Sequence, residues 1–269
     1  MVFQTAEELL EQMEKLANTC YFRGYQKNSE LISSLGRKKC NGEEVFKKFV
    51  QLLYTNGFPT QSFKELLCLA QHYGIPTNLI DLTTDPYVSL FFGLGREPCK
   101  QETIEFHILV TDIQDFKSKH KDQLRAVRII LGDIDNLTLS ELDALQLQSI
   151  SYLSEDTEIV TNYLQTSLLE KLYNKYFQVQ SDYVLVEYTK DFYGFNKRIT
   201  KQSGLFILSS EKDSPIPTEW FEKIDVSLTR SETEKLVEKL NSCGYTSDNL
   251  LPPMVNEIDI VQIAKESMA

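Results

Sequence analysis

Polar side chains interrupt three segments that otherwise have the composition of buried β-strands. Arg23 lies between aromatic residues in YFRGY, Asp81 interrupts the apolar run LIDLT that Thr83 ends, and Gln202 precedes the apolar run GLFIL. A charged or amide group at such a position is costly to bury unless it has a partner or a ligand. We therefore expect these residues to meet in one concave site.

Arg23 and Asp81 are compatible with two kinds of chemistry. The guanidinium of an arginine can bind a phosphate group through two parallel N–H donors. The alternative is a buried ion pair that only ties two strands together, and removal of one partner from such a pair typically costs roughly 3–5 kcal/mol. In either case we expect Arg23 and Asp81 to touch and to depend on each other for folding.

The sequence from 71 to 93 predicts how Asp81 is positioned. A helix ends at Gly74, which can adopt the left-handed conformation, and Pro76 prevents that helix from continuing. After a short strand, Asp85 is placed to cap an apolar helix that begins with Pro86. Polar residues at a strand–turn–helix junction of this kind are typical of the edge of a pocket.

The rest of the chain alternates helical and strand patterns. We predict an α+β fold with a mixed or mostly antiparallel sheet, which can be split into two small sheets, and with N-terminal, inserted and C-terminal helices. Residues 1–269 are expected to form a single domain. Two helical patterns in residues 138–177 predict an insertion that packs on the sheet without contributing a core strand. The predicted strands include 126–131, 183–188 and 197–208.

Composition limits the classes of ligand and partner. The net charge is −11, from 28 basic and 39 acidic residues, and no basic cluster occurs, so bulk nucleic-acid binding and membrane binding are not expected, although a local basic pocket stays open. The cysteines form no CxxC and the three histidines are scattered, so we expect no metal. Without a signal peptide or an apolar run of membrane-spanning length, the chain is expected to be cytoplasmic.

Three signatures occur in order: YFRGY, QHYGIPTNLIDLTTDPYVSLFFG and RITKQSGLFIL. Together they resemble the FRG-domain family, named for the sequence Phe-Arg-Gly. Asn78 and Leu82 depart from the family's pattern, in which arginine and tryptophan are usual at these positions. The middle signature follows that pattern at Gln71, His72, Gly74, Pro76, Thr77, Leu79, Asp81, Thr83 and Pro86.

A more remote resemblance concerns the toxin-like ADP-ribosyltransferases. Their pattern of an Arg-Gly strand, a Ser/Thr strand leading into an apolar helix, and a late Glu or Gln is similar to the order of Arg23-Gly24, Thr83 and Gln202 here. The paired carboxylate of those enzymes is missing, because the chain reads QSG from Gln202. A catalytic carboxylate would then be Asp81 or a residue such as Glu187.

This resemblance implies a pocket for NAD as a possible cofactor and assigns a role to each residue. Arg23 would bind phosphate, Gly24 would lie at the nicotinamide, Thr83 would contact ribose, and Asp81 would orient Arg23. Further candidate ligand contacts and pocket walls are Tyr21, Gln71, His72, Tyr73, Thr77 and Gln202.

Two functions remain open from the sequence. The first is an FRG-domain effector, bacterial or phage-associated and acting in defence or as a toxin, that binds NAD and transfers or hydrolyses ADP-ribose. The second is a non-catalytic module that senses a small ligand or a partner protein through the same pocket. A simpler interpretation also exists for His72, since an imidazole in the last turn of a helix commonly caps free carbonyl groups.

Overall fold

The computed structural model of the protein describes residues 2–38, 41–56, 63–119, 184–187, 197–208, 215–216, 218–252 and 257–268. The predicted insertion at 138–177 and the predicted strand at 126–131 lie outside these residues, so both stay predictions.

The strands and the helices of the described residues are numbered in chain order. Strands β1 to β7 are Val2–Phe3, Cys20–Gln26, Leu79–Thr83, Thr103–Asp112, Val184–Glu187, Gly204–Leu208 and Glu222–Thr229. Helices α1 to α10 are Ala6–Leu16, Ser34–Lys38, Gly42–Thr55, Phe63–His72, Pro86–Leu94, Ile113–Lys119, Lys197–Lys201, Arg230–Ser242, Ser247–Leu250 and Glu257–Met268. None of these helices combines the length and the apolar character needed to cross a bilayer.

The described strands form one mixed sheet in the order β1-β7-β4-β2-β3-β6-β5. Strand β1 is parallel to β7, and all other neighbouring strands are antiparallel. The predicted α+β class with a mostly antiparallel sheet is therefore confirmed.

The pairing between neighbouring strands is shortest at the centre of the sheet, between β2 and β3. Strands β2 and β3 share the single register pair Phe22 and Thr83, whereas β2 and β4 are paired from Cys20 to Gln26. The described sheet is thus continuous, but its two halves are joined through one pair. This is where the first two signatures meet.

Successive side chains of β2 point to opposite faces of the sheet and belong to two different apolar cores. Phe22 belongs to a buried cluster shared with α1, α5 and α8, which includes Leu9, Leu90 and Leu236. Tyr21 belongs to the cluster on the other face, with Phe116 of α6. The sheet is therefore covered on both sides around the strand that carries Arg23.

The helix α5 begins as the sequence predicts. Asp85 is its N-cap and accepts hydrogen bonds from the backbone N–H groups of Tyr87 and Val88, while Pro86 occupies the first helical position. Gly74, just before the strand β3, has the predicted left-handed conformation with φ of 76°. Local rules were sufficient for this segment because each terminus is set by residues within four positions of it.

The third signature differs from the prediction of one strand over 197–208. Its first part is the short helix α7, the backbone N–H of Gln202 donates to the Arg198 carbonyl, and Ser203 has a φ of 45°. The strand β6 begins only at Gly204. A turn with a left-handed residue thus separates two segments that the sequence pattern had joined.

Two smaller features also differ. The segment 29–42, whose polar sequence predicts a loop, contains the helix α2. The sequence pattern of Ser231 with Glu234 predicts a cap at Ser231, but the helix α8 is capped by Thr229, which accepts from the Glu232 N–H. The same Ser/Thr-x-x-Glu pattern occurs two residues earlier, and the earlier copy is the one that the structure uses.

Candidate functional site

An open cleft of about 870 Å³ lies where the three signatures meet. Its lining includes Arg23 from β2, Asp81 and Thr83 from β3, and Gln202 from the turn before β6. The predicted convergence of these residues is confirmed, and Gly24, Gln71 and His72 line the same cleft. Their predicted roles toward a ligand are a separate matter and stay predictions.

Arg23 touches Asp81, as expected, but the two side chains do not form the buried ion pair that was one of the two alternatives. One guanidinium nitrogen of Arg23, Nη1, donates to the backbone carbonyl oxygen of Asp81 at 2.5 Å and lies 3.7 Å from the carboxylate oxygen Oδ2. The Arg23 side chain is 16% exposed, whereas that of Asp81 is 54% exposed. The carboxylate is thus more than half exposed, and the shorter contact of Arg23 is with a neutral carbonyl.

The electrostatic surroundings of Arg23 favour an anion. Burial lowers the pKa of Arg23, the neighbouring Asp81 raises it, and the nearby Arg37 lowers it further. The Nε donor of Arg23 is buried and has no acceptor within the described residues. In any arginine the Nε–H and one Nη2–H point the same way, an arrangement that can bind two oxygens of a phosphate.

Gln71 holds the Asp81 carboxylate in place. Its amide nitrogen Nε2 donates to the two carboxylate oxygens of Asp81 at 3.2 and 3.3 Å. Its oxygen Oε1 accepts from the hydroxyl groups of Thr77 and Ser34, and Thr77 also accepts from the backbone N–H of Leu79. The spacing of Gln71, Thr77 and Asp81 in the second signature thus has a structural explanation, because the three form one chain of hydrogen bonds.

Thr83 links the second signature to the third. Its hydroxyl donates to the backbone carbonyl of Gln202 at 2.7 Å and accepts from the Asp85 N–H at 3.0 Å. The amide of Gln202 in turn donates to the Leu250 carbonyl at 2.8 Å. The hydroxyl proton of Thr83 is therefore engaged within the protein, and its predicted contact with ribose stays a prediction.

Gly24 lies directly beneath the backbone of α5. A Cβ atom at this position would stand 1.7 Å from the Ser89 carbonyl oxygen. Any side chain at residue 24 would therefore push the helix α5 off the strand β2. This contact explains the glycine of the first signature by packing, independently of its predicted place beside nicotinamide.

The other predicted ligand contacts lie in different surroundings. Tyr21 is 1% exposed and packs edge-on against Phe116, and the cleft lining drawn from the described residues includes neither Tyr21, Tyr73 nor Thr77. His72 lines the cleft, with its ring centroid 6.0 Å from that of Phe206. Glu187, the other predicted source of a carboxylate, lies in β5 opposite Leu205.

Sequence reasoning missed most of the charge in the cleft. Because the cleft presents five cations and two carboxylates, it has a net positive charge in a chain whose net charge is −11. No local cluster signals this, because among the five cations only Arg23 and Arg198 fall within a signature. The charged lining residues are Arg23, Arg37, Lys38, Arg96, Arg198, Glu30 and Asp81.

Backbone carbonyl groups orient several of these cations. Arg37 donates to the Ile32 carbonyl at 2.6 Å, Lys38 to the Gly74 carbonyl at 2.6 Å, and Arg198 to the Pro252 carbonyl at 3.2 Å. A carbonyl oxygen fixes the direction of a cation without neutralising its charge. The cleft is thus arranged to attract an anion. Among the described residues, no group of three or more His, Cys, Asp or Glu side chains is placed to hold a metal ion.

A second polar cluster crosses β2, β4 and β7. His107 Nδ1 lies 2.7 Å from Asp225 Oδ1, Lys223 Nζ lies 3.0 Å from the same oxygen, and the ring of Tyr25 lies 5.2 Å from that of His107. Burial raises the pKa of Asp225, but the hydrogen bond and charge of Lys223 and the nearby His107 outweigh it and hold the pKa below its ordinary value. Asp225 therefore prefers its charged form.

The fold and the cleft define an α+β protein with a cation-lined site at the centre of a mostly antiparallel sheet. Residues 18–102 match the family described as the FRG domain. The chain therefore contains an FRG domain, as its signatures predicted. No curated protein and no solved structure matches the chain.

The matched range covers only part of the cleft. Residues 18–102 include the first two signatures, with Arg23, Gln71 and Asp81. Arg198 and Gln202, which line the same cleft, lie beyond that range. The site is thus completed by residues from the C-terminal part of the chain.

Proposed function

We propose that the cleft binds a nucleotide with a diphosphate group, such as NAD. The observation that carries this proposal is the net positive charge of the cleft in an acidic protein. A volume of about 870 Å³ falls within the range of pockets that enclose small molecules. Guanidinium groups suit such a ligand because they bind phosphate oxygens in pairs.

Arg23 and Arg37 are the pair of side chains that would hold the diphosphate. Each is a cation in the same cleft, and Arg37 is close enough to lower the pKa of Arg23. A diphosphate beside both guanidinium groups would relieve this repulsion, since its charge attracts each of them. Asp81 and Gln71 would keep Arg23 in position.

The enzymatic form of the proposal is transfer or hydrolysis of ADP-ribose. In that reaction the bond between nicotinamide and the ribose C1′ breaks, nicotinamide leaves, and water or an acceptor group bonds to C1′. Two carboxylates line the cleft for this chemistry, those of Asp81 and Glu30. Asp81 is already held by Gln71 and Arg23, whereas Glu30 is exposed.

The alternative form is a non-catalytic module that senses a nucleotide or a partner protein, for example in bacterial or phage defence. The feature that favours it is the sequence QSG at Gln202, which lacks the paired carboxylate expected of a transferase. Both forms use the same cleft and the same arginines. They differ in whether bound NAD is consumed.

Isothermal titration calorimetry with NAD tests binding. We expect saturable binding to the wild type that weakens as salt concentration rises, and weaker binding to Arg37→Gln. Arg230→Gln is the matched control, because Arg230 is also exposed and also donates to backbone carbonyls, but outside the cleft. Failure of the wild type to bind either NAD or ADP-ribose would refute the proposal.

Chromatographic measurement of free nicotinamide separates the two forms. Steady release by the wild type, reduced in Asp81→Asn or Glu30→Gln, would establish the enzymatic form. Binding without release of nicotinamide would leave the sensing module as the correct form.

A further inference from the structure

The cleft also exposes apolar side chains. Phe92 and Leu251 are 38% and 41% exposed, and both line the cleft. The other large hydrophobic side chains that are exposed among the described residues, Val2 and Met268, do not line it. An exposed aromatic ring beside several cations suits a ligand that has both an anionic and a planar apolar part.

Leu251 is held from both sides along the chain. The amide of Gln202 donates to the carbonyl of Leu250 at 2.8 Å, and Nε of Arg198 donates to the carbonyl of Pro252 at 3.2 Å. Two cleft-lining side chains therefore fix the backbone on either side of Leu251. The exposed side chain of Leu251 thus extends from a backbone segment that these two hydrogen bonds hold in place.

Phe92 is fixed through its helix. The backbone of α5 packs directly on Gly24, and a Cβ atom at Gly93 would stand 2.5 Å from the ring of Phe106 in β4. These close contacts at Gly24 and Gly93 fix the distance between α5 and the sheet. Arg96, four residues further along the chain, is exposed and lines the same cleft, so that a cation accompanies the ring.

We propose that Phe92 and Leu251 form a seat for the heteroaromatic base of the bound nucleotide. The proposal rests on the proposed function and adds the part of the ligand that the cations do not explain. Every nucleobase has a planar face that can stack on an aromatic ring, whereas its phosphate groups need the cations. The seat would make the cleft select nucleotides over sugar phosphates.

The test compares AMP with ribose 5-phosphate, which carries a hydroxyl group in place of the base. Binding constants are measured by calorimetry for the wild type, Phe92→Ala and Leu251→Ala. We expect the wild type to prefer AMP by roughly fivefold to a hundredfold. Each substitution should reduce that preference by weakening AMP binding, and ribose 5-phosphate should bind as before.

Two controls separate loss of the seat from loss of the fold. Val2→Ala removes an exposed apolar side chain outside the cleft and should leave both binding constants unchanged. Phe92→Leu keeps an apolar side chain without a ring and should bind AMP with intermediate affinity. The melting temperatures of all variants should stay near that of the wild type, since both seat residues are exposed.

The possible failures are distinguishable. If NAD binds but AMP and ribose 5-phosphate bind equally, or if the preference for AMP survives both alanine substitutions, the seat is refuted and the proposed function stands. If NAD, AMP and ribose 5-phosphate all fail to bind, the proposed function is refuted and the seat with it.

Discussion

Replacement of Gly24 by alanine tests how the first signature determines the fold. The added Cβ would stand 1.7 Å from the Ser89 carbonyl oxygen, 2.7 Å from the Ser89 carbonyl carbon and 2.8 Å from the Gly93 nitrogen. Real Cβ contacts essentially never fall below 3.0 Å. All three neighbours are backbone atoms, so no side chain can rotate away and the helix α5 itself must move by more than 1 Å.

The cost follows from what α5 buries. Val88, Leu90 and Leu94 are between 0% and 3% exposed, so displacement of the helix disturbs the core that it shares with β2 and β4. Overpacking a core typically costs about 1–3 kcal/mol, and occasionally more. Because the added Cβ clashes with backbone atoms, we expect the free energy of unfolding to fall by about 3 kcal/mol. Urea denaturation followed by circular dichroism measures this loss.

Gly204→Ala is the matched control. Its added Cβ would stand 3.2 Å from Cγ1 of the Ile199 side chain, which can give way by a few tenths of an ångström. We expect that variant to lose less than about 1 kcal/mol. If Gly24→Ala and Gly204→Ala are equally stable, the close approach of α5 to β2 is not what requires the glycine.

Three further substitutions test individual contacts. Arg23→Gln should lower the free energy of unfolding by about 1–3 kcal/mol because the Asp81 carbonyl loses its donor. Asp81→Asn alters a half-exposed carboxylate and should lower it by less than about 1 kcal/mol. Equal losses of stability in thermal unfolding would contradict this difference. Thr83→Val should lower the free energy of unfolding by roughly 2 kcal/mol because two partly buried backbone groups lose their partner, and Thr83→Ser should restore most of that loss. A valine variant as stable as the serine variant would show that the hydroxyl is dispensable. Asp225→Asn should lower the free energy of unfolding at neutral pH. The difference from the wild type should shrink below about pH 4, because a carboxylate with a lowered pKa stops stabilising the folded state as pH falls through that pKa. A difference that does not change with pH would refute the ionic explanation.

Local sequence rules predicted the segment from Gly74 to Pro86 because its turns and caps depend on near neighbours. The contact between Arg23 and Asp81 also followed, since polar groups in apolar strands require partners. The half-exposed carboxylate did not follow, because exposure at Asp81 depends on how far the ladder between β2 and β3 extends. That ladder ends after one pair, and no local pattern encodes its length.

The cleft cations other than Arg23 could not be predicted from the sequence, for a different reason. Arg37 lies in a segment that resembled a loop, and Arg198 lies in one that resembled a strand. Arg198 reaches the cleft because the sheet places β6 beside β3. Arg37 reaches it because neighbouring groups of α2, the Leu35 N–H and Lys38 Nζ, donate to the carbonyls of Thr77 and Gly74 just before β3. Strand order brings residues together that the linear sequence keeps far apart, and so the charge of the site appears only in the folded protein.

Nucleotide binding in the cleft is tested most directly by a crystal structure of the protein with NAD or ADP-ribose bound. We expect the diphosphate to lie in the cleft, with phosphate oxygens within about 3.2 Å of guanidinium nitrogens of Arg23 and Arg37. A ligand bound outside the cleft, or one whose phosphate groups contact neither arginine, would contradict it.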